Sequence, residues 1–228
     1  MKRYIKVFCL VFLLFACEDS NSKKVYKPQS SGNINDLSVV IDNDLWESLL
    51  GETIRSTLGA PLYGLPQDEP QFTLRQIPPS VFTGFVKNSR LILMVKKGVA
   101  AATKFYKAPY ASPQMMVTVS GMTNQEISEQ LITYQEKIVK AFKLLELQEK
   151  QRRTKKTLFN STAINKKFGI DIKFSSLYRI ANQTDNFAWI RRDIKTGTVN
   201  LLLYTLPYDD ILTKEALAKR MITVRDSI

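Results

Sequence analysis

Thr123-Asn124-Gln125-Glu126 is a capping box: a hydroxyl followed three residues later by a carboxylate able to reach back to it. Behind it Ile127, Leu131, Tyr134, Ile138, Ala141 or Phe142, and Leu145 recur at spacings of three and four. That spacing predicts a helix of about 30 residues with a single apolar stripe. So long a stripe must be covered. The repeat is short for a coiled coil, so packing across a sheet is expected. With the strand and helix signals of the rest of the chain, the expected class is α+β, an antiparallel or mixed sheet packed by one long helix and several shorter ones.

The rest of the chain supplies material for that sheet. Short apolar or alternating runs at 37–41, 72–77, 91–95 and 115–119 read as strands. Asp42 or Asn43 is placed to cap a helix carrying Leu45, Trp46, Leu49, Leu50 and Ile54, which Gly59 closes. Prolines and Gly64 make 60–70 a loop, Pro78-Pro79 ends a strand before a turn or short helix at 81–85, and 98–113 reads as a long connection. A helix at 162–168 should stop at Gly169. Strands are expected at 170–174, 177–180, 186–192 and 199–206, with a hairpin turn at Lys195-Thr196-Gly197. A last helix carries Leu212, Leu217, Met221 and Val224. Both ends of the chain run apolar strand, acidic residues, helix, so two degenerate α/β half-units are conceivable. No stop signal closes the last helix, and an extension beyond Ile228 is suspected.

The amino-terminal segment has a different character. Lys2, Arg3 and Lys6 precede an unbroken apolar run at 7–16 that Glu18 and Asp19 terminate. The run is about half the roughly 20 residues a membrane-spanning helix needs, and its layout is that of a cleaved export signal. Leu14-Phe15-Ala16-Cys17 resembles the lipobox of bacterial lipoproteins. The resemblance implies cleavage before Cys17, lipidation of its thiol and acylation of the new amine, so that several fatty chains hold the protein on a bilayer. The expected organisation is a signal peptide at 1–16, a flexible polar tether at 17–36 and an α+β domain at 37–228. Glu18 and Asp19 are candidate sorting residues.

Composition narrows the chemistry. The chain has no histidine, and its only cysteines are Cys9, which leaves with the signal, and Cys17. No disulfide is expected, and Ser-His-Asp, Cys-His and Cys/His zinc chemistry are excluded within this chain. Neither metal nor cofactor is expected. The formal net charge is +12, three of these charges lying in the signal. For an exported basic protein the first expectation is a solvated surface with no partner, and lipid headgroups or acidic glycans are expected before nucleic acid.

Few residues stand out as sites. Phe187-Ala188-Trp189-Ile190-Arg191-Arg192 is an aromatic strand ending in two arginines. Alternation puts Phe187, Trp189 and Arg191 on one face and Ala188, Ile190 and Arg192 on the other. Trp189 is expected in the core rather than as a ligand platform, while Trp189, Arg191 and Arg192 are the candidates for ligand or partner contact. The basic run at 150–156 reads as the exposed end of the long helix, where cations favour the dipole. Asp209-Asp210 reads as a helix cap rather than an acid/base or metal pair.

The lipobox, the Trp46 helix, the 187–192 strand, Tyr204-Thr205-Leu206-Pro207-Tyr208 and Val224-Arg225-Asp226-Ser227-Ile228 together resemble the DUF4837 family of uncharacterised Bacteroidota lipoproteins. The resemblance implies an envelope location, on the outer membrane, and no particular activity. The expected function is a membrane-anchored, non-enzymatic binding or assembly module for an envelope protein or glycan. Two alternatives stand beside it: a carboxylate-dependent glycan-processing enzyme, needing two carboxylates in one cleft, and a structural subunit docking through the long helix.

Overall fold

The structure is a computed structural model that describes residues 26–65, 67–195, 197–206 and 213–227. Cys17, Glu18, Asp19 and the pair Asp209-Asp210 lie outside the described residues. Among the described residues no helix is long and apolar enough to cross a membrane.

Four of the sequence's apolar runs become parallel strands. β1 (Asp36–Val40), β2 (Thr73–Ile77), β3 (Leu91–Lys97) and β5 (Met115–Gly121) run parallel, with β4 (Ala102–Lys107) antiparallel on β5, in the order β2-β1-β3-β5-β4. The inner strands are covered on both faces, which is why they read as continuous apolar runs. On one face Leu37, Val39, Leu91, Leu93, Val117 and Val119 form the main core. On the other, Val40, Ile77, Ile92 and Met116 meet Phe82 and Tyr110. That second cover comes from two 3-10 turns, Pro79–Val81 and Gly84–Asn88, and from the loop carrying Tyr110. β4 lies inside the segment expected to be a plain connection. Its Lys104 and Lys107 are exposed, as suits an edge strand, and they hide the apolar pattern.

The helix expected after β1 is two helices, α1 (Asn43–Trp46) and α2 (Leu49–Leu58). Ser48 divides them, its Oγ accepting the Leu50 N–H at 3.2 Å and starting α2 afresh. The corner is tight: a Cβ on Gly51 would lie 1.8 Å from the Trp46 carbonyl oxygen. Only glycine fits there.

The long helix, α3 (Asn124–Thr154), has 31 residues. The Thr123 hydroxyl accepts the Glu126 N–H, and the Glu126 carboxylate accepts the Met122 N–H at 2.9 Å. This is the capping box with its return bond one residue early. Ile127, Leu131, Ile138 and Phe142 are sealed against the sheet and α2. The buried stripe then continues in charge. Glu146 is 2 % exposed and accepts from Arg90 Nε at 2.6 Å, Arg90 Nη2 at 3.3 Å and the Asn35 N–H at 2.8 Å. Arg90 Nη2 also donates to the Gly32 and Asn33 carbonyls. One turn on, buried Glu149 takes Arg152 and Arg153, and Arg153 reaches Gly32 as well. Lys143 donates to Asn35 Oδ1 and the Gln71 carbonyl and lies 4.3 Å from the Phe72 ring. Burial lowers its pKa, against an opposing pull from Glu146.

These bonds revise the reading of the tether. From Pro28 onward the segment is docked: Ser31 N–H on Asn88, Arg90 N–H on Ser31, Ser112 N–H on Pro28. It carries no apolar periodicity because backbone groups and buried charges hold it, rather than side-chain packing.

The remaining residues build a second, smaller unit. It comprises α4 (Thr162–Phe168) and the antiparallel sheet β6 (Arg179–Gln183), β7 (Phe187–Ile194) and β8 (Gly197–Tyr204); α5 (Lys214–Asp226) comes last in the chain and meets Gly64 of the first unit. Ile164, Phe174 and Ile190 form the core of the second unit, with Tyr178, Ile180, Leu201 and Leu203 against them. The strand expected at 170–174 is irregular chain that delivers Phe174, stacked 4.6 Å from Phe159. The half-unit idea fails: β1 lies between two parallel neighbours, whereas β8 is the antiparallel edge of another sheet.

Two predictions follow from the α3 charges. Glu146→Ala strands a buried guanidinium and should cost about 3–5 kcal/mol, read from the urea midpoint of the helical signal, whereas Arg90→Met with Glu146→Leu should recover most of it. A Glu146→Ala chain as stable as the parent would sink the clamp. Glu149 is held at about 2, below its ordinary 4.5, chiefly by the Arg152 hydrogen bond. Its folded pKa is depressed, so its contribution is present above pH 4.5 and is lost as pH falls toward 2. Glu149→Gln should flatten the acid limb of stability against pH in that window.

Candidate functional site

β7 divides its side chains between a core face and an open face. Ala188 and Ile190 are fully buried toward α4 and Phe174. Arg192 shares their side, its guanidinium 6.0 Å from the Tyr178 ring. Phe187, Trp189, Arg191 and Asp193 project the other way. The alternation read from the sequence holds, but the expectation that Trp189 is core does not. Both faces of β7 carry apolar residues, and the choice between them is made by Ile164 and Phe174, which reach only one.

Register completes the open face. Trp189 stands opposite Leu202, Phe187 opposite Tyr204, and Arg191 between Asn200 and Arg179. The Trp189 indole N–H donates to Asn200 Oδ1 at 2.9 Å, which fixes the ring's orientation. Asp193 sits between the two arginines, 2.8 Å from Arg191 and 3.6 Å from Arg179. It offsets the repulsion of like charges directly across strands. Trp189, Phe187 and Tyr204 are part-exposed and Leu202 exposed. The result is a flat band of three aromatic rings and a leucine, edged by an amide and two guanidinium groups that share one carboxylate. Trp, Tyr and Arg on one surface are the side chains that concentrate binding energy, and their rings and donors suit a sugar face equally.

Of the residues predicted for contact, the structure brings Trp189 and Arg191 together and puts Arg192 on the far side. Asn200, Tyr204, Asp193 and Arg179 were missed. A hairpin closed at Gly197 could have fixed the register of β7 on β8 and so found Asn200 and Tyr204.

Among the described residues no group of three or more potential ligands could hold a metal ion. The buried carboxylates Glu146 and Glu149 are both engaged by arginine. In the basic run, Arg152 and Arg153 are paired, while Lys150 and Lys155 border an open cleft of about 540 Å³ against Asp171 and Lys173.

Residues 30–155 match the family model of a domain of unknown function, DUF8532, and residues 157–228 match that of a second, DUF4837. The chain belongs to the DUF8532 family. The two matches meet at the end of α3, so the mixed sheet is the DUF8532 unit and the small antiparallel sheet, with the Trp189 face, is the DUF4837 unit. The Trp46 helix, counted toward the DUF4837 resemblance, falls in the DUF8532 unit. No curated protein and no solved structure matches the chain.

The division of β7 is testable by paired substitutions. Ile190→Ala should destabilise the DUF4837 unit by about 2–5 kcal/mol. Trp189→Ala should cost about 1 kcal/mol or less, since it removes one hydrogen bond and part-exposed surface. Guanidinium chloride melts of the small sheet report both. Equal costs would put Trp189 back in the core.

Proposed function

We propose that this chain is a membrane-anchored envelope lipoprotein whose DUF4837 unit is a non-enzymatic binding face for an envelope glycan or protein. The observation carrying this reading is the open β7 face, where Trp189 and Arg191 are already held by Asn200 and Asp193. Side chains ordered before a partner arrives lose little freedom on binding. A cationic margin favours acidic sugars or acidic protein surface. Anchoring is assigned to acylated Cys17, on the outer membrane, from the export-signal layout and the lipobox. The long helix is the weaker docking element, because its apolar stripe is consumed by the sheet and α2.

Two measurements test this. Cys17→Ala should move the chain from the membrane pellet to the soluble fraction, and full retention would remove the anchor. Cross-linked envelopes carrying the full chain should yield a glycan or protein partner that is lost when Trp189→Ala is combined with Arg191→Gln. A partner kept by that variant, with the small sheet folded, would refute the face.

A further inference from the structure

The DUF8532 unit holds a cleft that its structural residues do not explain. It lies on the sheet face opposite the helices, beside β1 and β2, with a volume of about 570 Å³. That is the size of a small-molecule or short-peptide site. Its floor is Ser38, Arg75 and Ile77, and one wall is Val81, Phe85 and Val86 from the 3-10 turns. Asp36 and the docked backbone at Ser31–Asn33 form the opposite rim.

Three features of this lining await a complement. Val81 and Phe85 are 54 % and 74 % exposed, although Phe82 between them is buried. Arg75 makes no hydrogen bond, ion pair or ring contact among the described residues, whereas every other described arginine has a partner. On the rim, Asp36 accepts one N–H, from Asn33, through Oδ2, which leaves Oδ1 free. Ser38 spends its proton on Ser89, so its oxygen faces the cleft as an acceptor. Register places Asp36 and Arg75 a diagonal apart on neighbouring strands, roughly 7–8 Å between backbones, and the two charges do not close on each other.

A fitting ligand therefore carries an anion for the Arg75 fork, an N–H or O–H for Asp36 and Ser38, and an apolar group for the wall. A sugar acid meets the first two needs. Its C–H face wants a flat aromatic wall, however, and this wall is mainly branched aliphatic. We propose that the cleft captures the carboxyl-terminal end of a peptide. The α-carboxylate lies on Arg75, the last amide N–H on Asp36 or Ser38, and an aliphatic side chain against Val81, Phe85 and Val86. Arginine recognises a carboxylate bidentately, and capture of a terminal carboxylate is a recurring mode of peptide recognition. This site is in the other unit from the Trp189 face and does not depend on it.

The test is titration of the purified chain, from residue 18 onward, with acetyl-Ala-Ala-Leu bearing a free or an amidated terminus, followed by backbone NMR shifts. The free acid should shift residues around Ser38, Arg75 and Val86, and the amide should bind at least about tenfold more weakly. Arg75→Gln should weaken the free acid about tenfold or more, Arg75→Lys should restore part of it, and Phe85→Ser should remove the preference for Leu over Gly at the last position. Arg75 and Phe85 are exposed, so neither change should alter the unfolding midpoint. Trp189→Ala should leave the titration unchanged. Equal binding of acid and amide, no shifts at millimolar peptide, or a response to galacturonate oligomers but not to the peptide would each overturn the proposal.

Discussion

The Arg90–Glu146 pair joins three parts of the chain at one buried point. Arg90 immediately precedes β3, Glu146 lies in the last third of α3, and both grip the backbone at 32–35 that leads into β1. A fully buried ion pair adds little net stability, because desolvation consumes most of the Coulomb gain. Its value here is positional. The Arg90 fork has an acidic partner in one geometry only, and this sets how far α3 slides along the sheet. The apolar stripe fixes the helix's rotation but would tolerate a shift of register. Lys143, on the Asn35 side chain, and Arg153, held by Glu149 and donating to the Gly32 carbonyl, add to this grip on either side. The docked backbone is also one rim of the Arg75 cleft, so the clamp shapes that cleft as it fixes the helix.

The two units are stabilised in different ways. The DUF8532 unit covers both faces of its inner strands and needs no help from solvent-facing charge. The DUF4837 unit is small, buries one face of a three-stranded sheet, and leaves the other open; a unit of this size removes a smaller share of its surface from water. α5 adds little, since Val224 is its one buried residue. Its contacts lie instead with the first unit, through Arg225 on the Gly64 carbonyl and Ile222 against Gly64. The open sheet face follows from the limited apolar material in this half of the chain, and it is what makes Trp189 available.

Much of the first unit was legible because burial on both faces writes itself as unbroken apolar runs, and because Thr123 and Glu126 mark a helix start unambiguously. β4 was not, since an edge strand carries its lysines outward for the sake of that edge. The clamp was invisible for another reason: Glu146 has the spacing of a buried position but the chemistry of an exposed one, and its partner is 56 residues away. At the candidate site the period of β7 was readable and its orientation was not. Phe187 and Trp189 outweigh Ala188 and Ile190 in apolar bulk, so hydrophobicity alone points the strand the wrong way. Only the small size of Ala188 hints that the other face lies close against packed neighbours.

The two proposed recognition surfaces should differ in how they bind, because they differ in how far they are built in advance. Trp189 and Arg191 are each held by a fixed hydrogen bond, so a partner finds the rings and cations in place and loses little on ordering them. Arg75 and Phe85 are unrestrained, and a ligand in the cleft must immobilise both. Affinity per contact should therefore be lower in the cleft, and more of it must come from the bidentate carboxylate bond, which exists only once the ligand is seated. Such a site discriminates by charge and hydrogen-bond count, since a ligand lacking the anion leaves the guanidinium desolvated without compensation. The Trp189 face lacks that penalty and should tolerate variation in its partner. One chain would thus carry a selective cleft beside its docked amino-terminal segment and a broader adhesive face on its second unit.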